Sequence, residues 1–434
     1  MNEEPSHYAL NPSSELVERA AKLAKAESAR KGEPEFHMTE DMRRLSTPWS
    51  VSQVRAEQIQ ATDLPAGVIL DAAAGSGVQL IALTTGLKRP GLAIELDPNI
   101  GLLCAANMQI TGDEADLQRT MDRVLIGDGT DAENAIVAYW NSLREAGTRA
   151  HPPIGMLHLD PARPRDAQRH EIDEMEPAIG PVLRAWSNHL ETGPRGPAIL
   201  LDLSPRLNED QRSLVDAVIE TTFPGIPRTW EFLSQGGGRI DRLSVWIGSL
   251  SSKERSRCVR MGKKNIMATI EGEAAEAELV TLSSPPPYGA YLTIVDSALV
   301  KSGLHEAWLE KALPEGTGHS WLRLDGRRPL LISTDPLIRD DEIDAFVIAS
   351  GEIVQHRLTP PELHTIEQTA ASSARNGVGK VTLRCSLDPE LHPTLQRRLD
   401  KAMKEFDGSR GFMVDLDLDR GSGSHTLYVV CKEQ

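Results

Sequence analysis

Residues 68–80 read VILDAAAGSGVQL, an apolar run that ends at Asp71 and passes through small residues into a second apolar segment. A short apolar run followed by glycines is typical of a buried strand that turns directly into a helix. Without bulky side chains at Ala73, Gly75 and Gly77, a ligand can approach the backbone of the turn and the N-terminus of the helix. The stretch therefore predicts a Rossmann-like turn that binds a nucleotide-like ligand. The alternative interpretation is a turn whose small residues serve packing alone.

The same alternation of strand and helix continues along the chain. Further apolar runs, separated by helix-compatible sequence, are GLAIELD from residue 91, RVLIGD from 123, GMLHLDP from 155 and AILLDLSP from 198. This pattern predicts a parallel sheet covered by helices. Residues 231–248, EFLSQGGGRIDRLSVWIG, add two extended runs around three glycines and predict a hairpin that closes the edge of the sheet. The predicted fold class is α/β, with a seven-stranded Rossmann-like sheet.

Changes in residue composition and in the spacing of apolar residues divide the chain into four parts. Residues 14–31 carry apolar positions at helical spacing and predict an amphipathic helix. Residues 1–49 are predicted to form an N-terminal helical region, and residues 50–250 an α/β ligand-binding domain. Residues 251–339 are predicted to form a basic linker with an α+β domain, and residues 340–434 a last α+β domain.

Composition excludes several classes of protein. No stretch approaches the roughly 20 apolar residues that span a bilayer, and the N-terminus lacks a signal-peptide pattern, so we expect a cytoplasmic protein with no membrane partner. The four cysteines are scattered without a CxxC pair, which indicates reduced thiols and neither a disulfide framework nor a metal site. The formal net charge of −16 disfavours a protein that coats nucleic acid along its whole surface.

Acidic residues follow the second and third predicted strands. Glu95 comes 18 residues after Gly77, at a strand end where a carboxylate can accept hydrogen bonds from two ribose hydroxyls. Leu80 stands where a dinucleotide site would have a third glycine, so a nicotinamide cofactor is disfavoured. Asp128 ends the third strand, where it can reach an adenine amino group; its alternative role is that of a plain turn carboxylate.

The fourth predicted strand ends in HLDPAR, residues 158–163. Ligands of open α/β sheets meet beyond the carboxyl ends of the strands, which makes Asp160 a candidate catalytic residue. Its carboxylate and the carbonyl of Pro161 can accept both hydrogens of an exocyclic amine and direct the lone pair of its nitrogen. Arg163 can stack on a base or bind a phosphate. The alternatives are an Asx turn at Asp160 and an internal salt bridge at Arg163.

Taken in order, DAAAGSG, IELDP, GDGTD and LDPAR resemble the motifs of class I S-adenosylmethionine-dependent methyltransferases. The LDPAR form is similar to that of predicted RNA methylases related to trimethylguanosine synthase. The segments YLTIVDSALVKSGLHEAWL and NGVGKVTLRCSLDPELHPTLQRRLDKAM are similar to the ferredoxin-like and THUMP-like domains of that family. The resemblance covers most of residues 50–434.

The resemblance implies a function and a set of site residues. It assigns binding of S-adenosylmethionine to Asp71, Ala73, Gly75, Gly77, Glu95 and Asp128, and catalysis to Asp160, Pro161 and Arg163. The chain departs from the family where DAAAG replaces a cysteine-rich DLCCG and where Pro164 replaces an arginine. No cysteine lies in or just after LDPAR, which disfavours covalent attack on a pyrimidine carbon and favours direct displacement at nitrogen or oxygen.

The resemblance also implies an RNA partner, tRNA or rRNA, bound partly by the C-terminal domains. Residues 253–264, KERSRCVRMGKK, together with Arg163, Arg165 and Arg169, predict a local basic track. The alternative for residues 253–264 is a solvated linker. Two other functions remain open: methylation of a small molecule or protein, and an RNA-binding module that keeps the cofactor pocket without catalysing.

Overall fold

The computed structural model describes residues 6–29, 31–114, 120–162, 172–419 and 424–433. The chain separates into two compact units. The first comprises Met1–Glu231, Arg242–Arg255 and Lys263–Asn265, and the second Phe232–Asp241, Ser256–Gly262 and Ile266–Gln434. The finer division into four parts stays a prediction.

The first unit combines helices with one large sheet. Its helices are α1 (Ser14–Leu23), α2 (Glu40–Leu45), α3 (Trp49–Gln60), α4 (Val78–Leu87), α5 (Pro98–Glu114), α6 (Ala132–Glu145), α7 (Ile179–Trp186) and α8 (Glu209–Thr222). Its strands are β1 (Tyr8–Leu10), β2 (Ala26–Ser28), β3 (Glu35–His37), β4 (Val68–Asp71), β5 (Gly91–Glu95), β6 (Arg123–Ile126), β7 (Ile154–Leu159), β8 (Thr192–Gly193), β9 (Gly196–Leu203), β10 (Arg228–Ser234) and β11 (Arg242–Gly248). The last three residues of β10 belong to the second unit.

The strands of the first unit form part of a larger sheet, in the order β1-β6-β5-β4-β7-β9-β11-β10, with β8 paired to β9. Strands β4, β5, β6, β7 and β9 are parallel, and β11 runs antiparallel to β9. Counted along the chain from β4, the seven central strands follow the order 3-2-1-4-5-7-6. The parallel strands are buried on both faces by helices, which explains their near-continuous apolar sequences. The predicted seven-stranded Rossmann-like sheet is confirmed, with each predicted strand present.

The N-terminal region is less helical than its sequence pattern predicts. Helix α1 begins at Ser14, with the Ser13 hydroxyl accepting from the amide of Leu16, but ends at Leu23 instead of continuing to residue 31. After the extended residue Ala24, β2 and β3 pair as a hairpin, and Gly32 supplies a positive φ of 85° between them. Strand β1 pairs antiparallel with β6 and covers that edge of the large sheet.

The second unit is an α+β structure, as predicted for the C-terminal region. Its strands are β12 (Ser256–Met261), β13 (Ile266–Gly272), β14 (Tyr291–Val295), β15 (His319–Arg323), β16 (Leu330–Ser333), β17 (Val347–Arg357), β18 (Val378–Leu383), β19 (Ser409–Asp419) and β20 (Ser424–Glu433). Its helices are α9 (Ser297–Lys301), α10 (His305–Ala312), α11 (Asp341–Ala345), α12 (Ile366–Arg375) and α13 (His392–Met403).

One seven-stranded sheet, β15-β16-β14-β17-β20-β19-β18, joins both predicted C-terminal parts. Its side chains alternate between two apolar clusters: Phe412 and Val414 belong to one, whereas Met413 packs in the other with α12 and α13. Strands β14 and β16 pair antiparallel, and β15, which lies between them in the chain, pairs antiparallel with β16. None of the described helices is both long and apolar enough to span a membrane.

Candidate functional site

The candidate site lies where the strand order of the first unit reverses. Strand β4 has β5 on one side and β7 on the other, and the chain leaves these parallel strands at one edge of the sheet. Crevices at such reversal points are the usual ligand sites of open α/β sheets. Asp71, Glu95, Asp128 and Asp160 lie at or just beyond the carboxyl ends of β4, β5, β6 and β7, so the structure brings the four predicted acidic residues to this edge.

The turn after β4 is held by its own aspartate. One carboxylate oxygen of the buried Asp71 accepts a hydrogen bond from the amide of Ala73 at 3.2 Å, and the other contacts His158 Nδ1 at 2.8 Å. The amide of Gly75 donates to Glu95 Oε2 at 3.0 Å. Asp71 therefore shapes the turn, while Glu95 reaches back to it from the neighbouring strand.

The two glycines of the turn have different surroundings. Both have positive φ, 53° at Gly75 and 76° at Gly77. A Cβ added at Gly75 would meet no atom within 4 Å, whereas one at Gly77 would lie 2.6 Å from Cys104 Sγ on α5. Gly75 thus borders open space that a ligand can occupy, and Gly77 is required by packing. Packing therefore explains Gly77, whereas the ligand-binding role of Gly75 stays a prediction.

Glu95 combines a carboxylate with an exposed apolar neighbour. Its oxygens accept from the amides of Gly75 and Asp97, each at 3.0 Å. Burial raises the pKa of the Glu95 carboxyl, and these amide hydrogen bonds oppose the shift. The next residue, Leu96, is 74% exposed. Sequence reasoning missed Leu96, which offers an apolar contact for a ring bound beside the carboxylate.

Asp128 is exposed at the rim of the site and ordered by its own loop. Its Oδ1 accepts from the amide and hydroxyl of Thr130, both at 2.8 Å. A Cβ at Gly129 would lie 2.1 Å from the carbonyl oxygen of Ala72, so this loop rests directly on the turn after β4. The indole Nε1 of Trp186 donates to the carbonyl of Gly129 at 2.8 Å and anchors the loop to α7.

Asp160 lies on the other side of β4 from Glu95 and is exposed to solvent. Ala162 is fixed two residues further on, because Ala162 and Glu176 exchange two backbone hydrogen bonds of 2.8 and 2.9 Å. Pro161 is buried between these contacts and the strand. Arg163, with Arg165 and Arg169, lies outside the described residues, so its predicted role stays a prediction.

Buried charges lie behind the crevice. Arg55 donates two hydrogen bonds of 2.6 Å to the two carboxylate oxygens of Asp202. His158 bridges two acids, with Nδ1 2.8 Å from Asp71 and Nε2 3.2 Å from Asp202. Against the effect of burial, these carboxylates raise the pKa of His158 to about 10, so both ring nitrogens carry hydrogens and donate. Sequence reasoning assigned His158 no role in the site and did not single out Arg55 or Asp202.

The buried charges also act on Asp160. Although solvent reaches Asp160, the dense protein around its carboxyl and repulsion from Asp202 raise the pKa of this group, and the attraction of His158, Arg242 and Arg55 opposes the shift. The buried network therefore helps to set the protonation state of the candidate catalytic group.

The predicted basic track is partly built into the fold. Ser256–Met261 forms β12, where Arg257 lies 3.5 Å from Glu271 and Arg260 donates to the carbonyl of Ala345 at 3.0 Å. The residues at the two ends of the stretch are exposed: Lys253, Arg255, Lys263 and Lys264. Two basic residues of 253–264, Arg257 and Arg260, are thus engaged in contacts within the protein.

No protein-family model matches the chain, and no curated protein sequence does either. Among solved structures, the chain is similar to a precorrin-6y C5,15-methyltransferase from Geobacter metallireducens GS-15, with 13% identity over 50% of this chain and 94% of that one and a TM-score of 0.30. It is also similar to cofactor-bound Rv0187 from MTB, with 14% identity over 56% and 92% and a TM-score of 0.30. A predicted O-methyltransferase, Atu636 from Agrobacterium tumefaciens, has 18% identity over 50% and 86% and a TM-score of 0.31. Similarity at this level bears on neither the reaction nor the substrate.

Proposed function

We propose that the protein is an S-adenosylmethionine-dependent methyltransferase that methylates a nucleobase amine of RNA by direct displacement. The observation that carries the proposal is the contact between the Gly75 amide and the Glu95 carboxylate beside open space, with Asp160 across β4. A ligand in this space meets backbone amides, an acidic group and an apolar side chain at the reversal point of the sheet.

The residues of the pocket fit an adenosyl ligand. Glu95 supplies acceptors for ribose hydroxyls, Leu96 supplies an apolar contact for adenine, and Asp128 lies at the rim where an adenine amino group can be bound. Gly75 leaves the backbone accessible, since no atom lies where its side chain would be. When bound, S-adenosylmethionine supplies a methyl group on a sulfonium centre, which is already a good leaving group.

The protein contributes to the reaction by positioning the substrate amine. Ionised Asp160 can accept a hydrogen from an exocyclic amine, and the carbonyl of Pro161 can accept the second, so that the nitrogen lone pair is directed at the transferred group. The paired backbones of Ala162 and Glu176 hold this segment in place. Because the pKa of Asp160 is raised, the fraction of ionised Asp160, and with it the rate, should increase with pH through that pKa.

The RNA substrate rests on the resemblance of the C-terminal segments to ferredoxin-like and THUMP-like domains. A small-molecule or protein substrate is the second candidate, and the net charge of −16 favours it. The third candidate, a module that binds RNA without catalysing, keeps the pocket and lacks turnover.

Labelling with methyl-tritiated cofactor tests the three candidates together. Purified protein is incubated with separate pools of total RNA, protein and metabolites, and we expect label in RNA. Label only in another pool would exclude the RNA substrate. Cofactor binding without label in any pool would indicate the non-catalytic module, and absence of binding at millimolar cofactor would overturn the proposed function.

Asp160→Ala tests the mechanism. Loss of the amine acceptor should lower transfer by about 100-fold or more, because misplaced substrates lose rates of this order. Calorimetry should show little change in cofactor affinity. The matched control is Asp210→Ala, since Asp210 is an exposed aspartate of α8. Turnover retained by Asp160→Ala would remove this residue from the mechanism.

A further inference from the structure

A cavity of about 560 Å³ opens within the second unit. It lies between the loop after β15, the segment after β18 and the start of α13, and its lining includes Arg323, Arg327, Arg328, Ser386 and His392. Its volume is within the range of about 300–1,000 Å³ that holds small-molecule ligands. The cavity is thus large enough for a nucleotide-sized group, and three arginines face it.

The acidic residues near the cavity do not balance these arginines. Asp415 is engaged by Arg323, whose Nη2 lies 3.3 Å from its carboxylate, and by the amide of Ser386 at 3.0 Å. Asp325 is 91% exposed and pairs with Lys301 at 3.0 Å. Arg327 and Arg328 therefore leave an excess of positive charge in the cavity.

Like charges are held close together beside the cavity. Arg328 donates to the carbonyl of Cys385 at 3.1 Å, which places its guanidinium at the wall. Burial, and repulsion from Arg384 and Arg323, lower the pKa of Arg328. Within the described part of the chain, the buried Nε of Arg384 has no hydrogen-bond partner. An anion in the cavity would reduce the repulsion among these guanidinium groups.

The start of helix α13 borders the cavity. It spans His392–Met403, and its first turn carries no acidic residue and no side-chain cap. The amides of His392 and Thr394 are bonded within the chain and Pro393 has no amide hydrogen, so the helix start supplies lining residues and not free donors: His392 and Pro393 line the cavity. Three arginines and a cavity of suitable size therefore occur at the same place.

We propose that this cavity binds a phosphate group, carried either by a free mononucleotide or by a nucleic-acid strand. The planar guanidinium presents paired donors that match phosphate oxygens, which is why arginine is enriched where a phosphate is bound by two parallel hydrogen bonds. The site belongs to the second unit alone. The proposal therefore does not depend on cofactor binding in the first unit.

Calorimetry on the full chain tests the proposal with inorganic phosphate, adenosine monophosphate and a single-stranded RNA oligonucleotide. Arg327→Gln is the main variant, because Arg327 is exposed and its replacement leaves the fold intact. Loss of one charge-assisted contact should weaken binding about 10-fold. Arg375→Gln, an exposed arginine of the same unit that does not line the cavity, is the matched control and should bind as the parent does.

The three probes distinguish the sources of the phosphate. Binding of phosphate and mononucleotide, weakened by Arg327→Gln, identifies a free phosphomonoester as a ligand. Binding of RNA alone, weakened in the same way and with a salt dependence reduced by about one contact, identifies a phosphodiester. Arg328→Gln should reproduce either result, with its unfolding midpoint measured in parallel because Arg328 also bonds Cys385. The proposal would be overturned if none of the three probes bound at millimolar concentration. It would also be overturned if Arg375→Gln weakened binding as much as Arg327→Gln does.

Discussion

Gly75 and Gly77 are two residues apart in the turn after β4, yet they have different reasons to be glycine. At Gly75 the missing side chain leaves open space, and at Gly77 it leaves room for Cys104 Sγ on α5. A sequence shows both only as small residues. Only the position of α5, which is set by tertiary structure, shows that Gly77 is constrained by packing and that Gly75 is not.

Alanine substitutions should separate these roles. Gly77→Ala combines a positive φ with a steric overlap and should lower the free energy of unfolding by about 2–3 kcal/mol. Gly75→Ala has the backbone strain alone and should cost about 1 kcal/mol while weakening cofactor binding measurably. Denaturant unfolding and calorimetry give the two quantities. Equal losses of stability, with cofactor affinity unchanged at Gly75→Ala, would contradict the assignment.

His158 is buried between Asp71 and Asp202, and its charge contributes stability that depends on pH. Its pKa is raised to about 10, above the value near 6.5 of an unperturbed histidine. The stabilisation is therefore fully present below pH ~6.5 and is lost as the pH rises through about 10. The carboxyl of Asp202 has a depressed pKa, despite burial, because Arg55 and His158 face it; its contribution is lost at the acid end.

His158→Gln should lower the free energy of unfolding at pH 7 by about 3 kcal/mol, because it leaves two buried carboxylates with one partner fewer. The difference from the parent protein should shrink between pH 7 and 10. Denaturant unfolding across this range measures it. His151→Gln is the control, because His151 is exposed and stacks on Trp140, and the free energy of unfolding of this variant at pH 7 should stay close to that of the parent. A pH-independent difference for His158→Gln would mean that the ring acts by shape alone.

At the scale of elements, the sequence predicts what local patterns encode. Each parallel strand is a short apolar run, so β4, β5, β6, β7 and β9 are predicted correctly, as is the position of Asp71, Glu95, Asp128 and Asp160 at the ends of the first four. The buried network is not, because Arg55 and Asp202 are 147 residues apart and His158 and Asp71 are 87 apart. A buried ionic pair has no local signature, since each partner reads as an ordinary surface charge.

The N-terminal strand β1 is a further element that local patterns did not predict. It has only three residues, and its register with β6 places His7 over the loop after β6. The Nε2 of His7 donates to the carbonyl of Asp128 at 3.1 Å, and a Cβ at Gly127 would lie 2.1 Å from the His7 ring. This segment therefore supports the rim of the proposed adenine site.

His7→Ala should weaken cofactor binding about five-fold, since it removes a hydrogen bond worth about 1 kcal/mol and the ring that packs on Gly127. The rate at saturating cofactor should stay near that of the parent, because His7 does not face Asp160's side of the sheet. Calorimetry and initial rates measure the two effects. Tyr8→Ala, whose side chain is 48% exposed on the same strand, is the control. A loss of rate without a loss of affinity would place His7 in another role.

At the scale of the molecule, the two units differ in how well the sequence predicts their boundaries. The first unit follows an alternating pattern from β4 to β9 that fixes its strand order through right-handed connections. In the second unit, β14 pairs with both β16 and β17, so one sheet crosses the predicted boundary near residue 340. The sequence pattern of a strand does not show which distant strand pairs with it. Two segments that resemble separate domains can therefore share one sheet.

The four cysteines test the integrity of both units in one experiment. Cys104 is in the first unit and Cys258, Cys385 and Cys431 are in the second, and each is a buried free thiol. Burial also raises the pKa of Cys104, Cys385 and Cys431, which keeps these sulfurs protonated. Reaction with a thiol reagent therefore requires local or global opening.

We expect none of these four thiols to react within minutes in the folded protein and each of them to react in denaturant, as measured by intact-mass spectrometry. Ser28→Cys, at an exposed position of β2, is the positive control and should react at once. Rapid labelling of a native cysteine would show that its unit opens more easily than its packing indicates. Because Gly77 packs against Cys104, Gly77→Ala should accelerate labelling at Cys104 and leave the three cysteines of the second unit unchanged. Such a selective effect would connect the glycine turn of the proposed cofactor pocket to the core behind it, independently of any assay for cofactor or RNA.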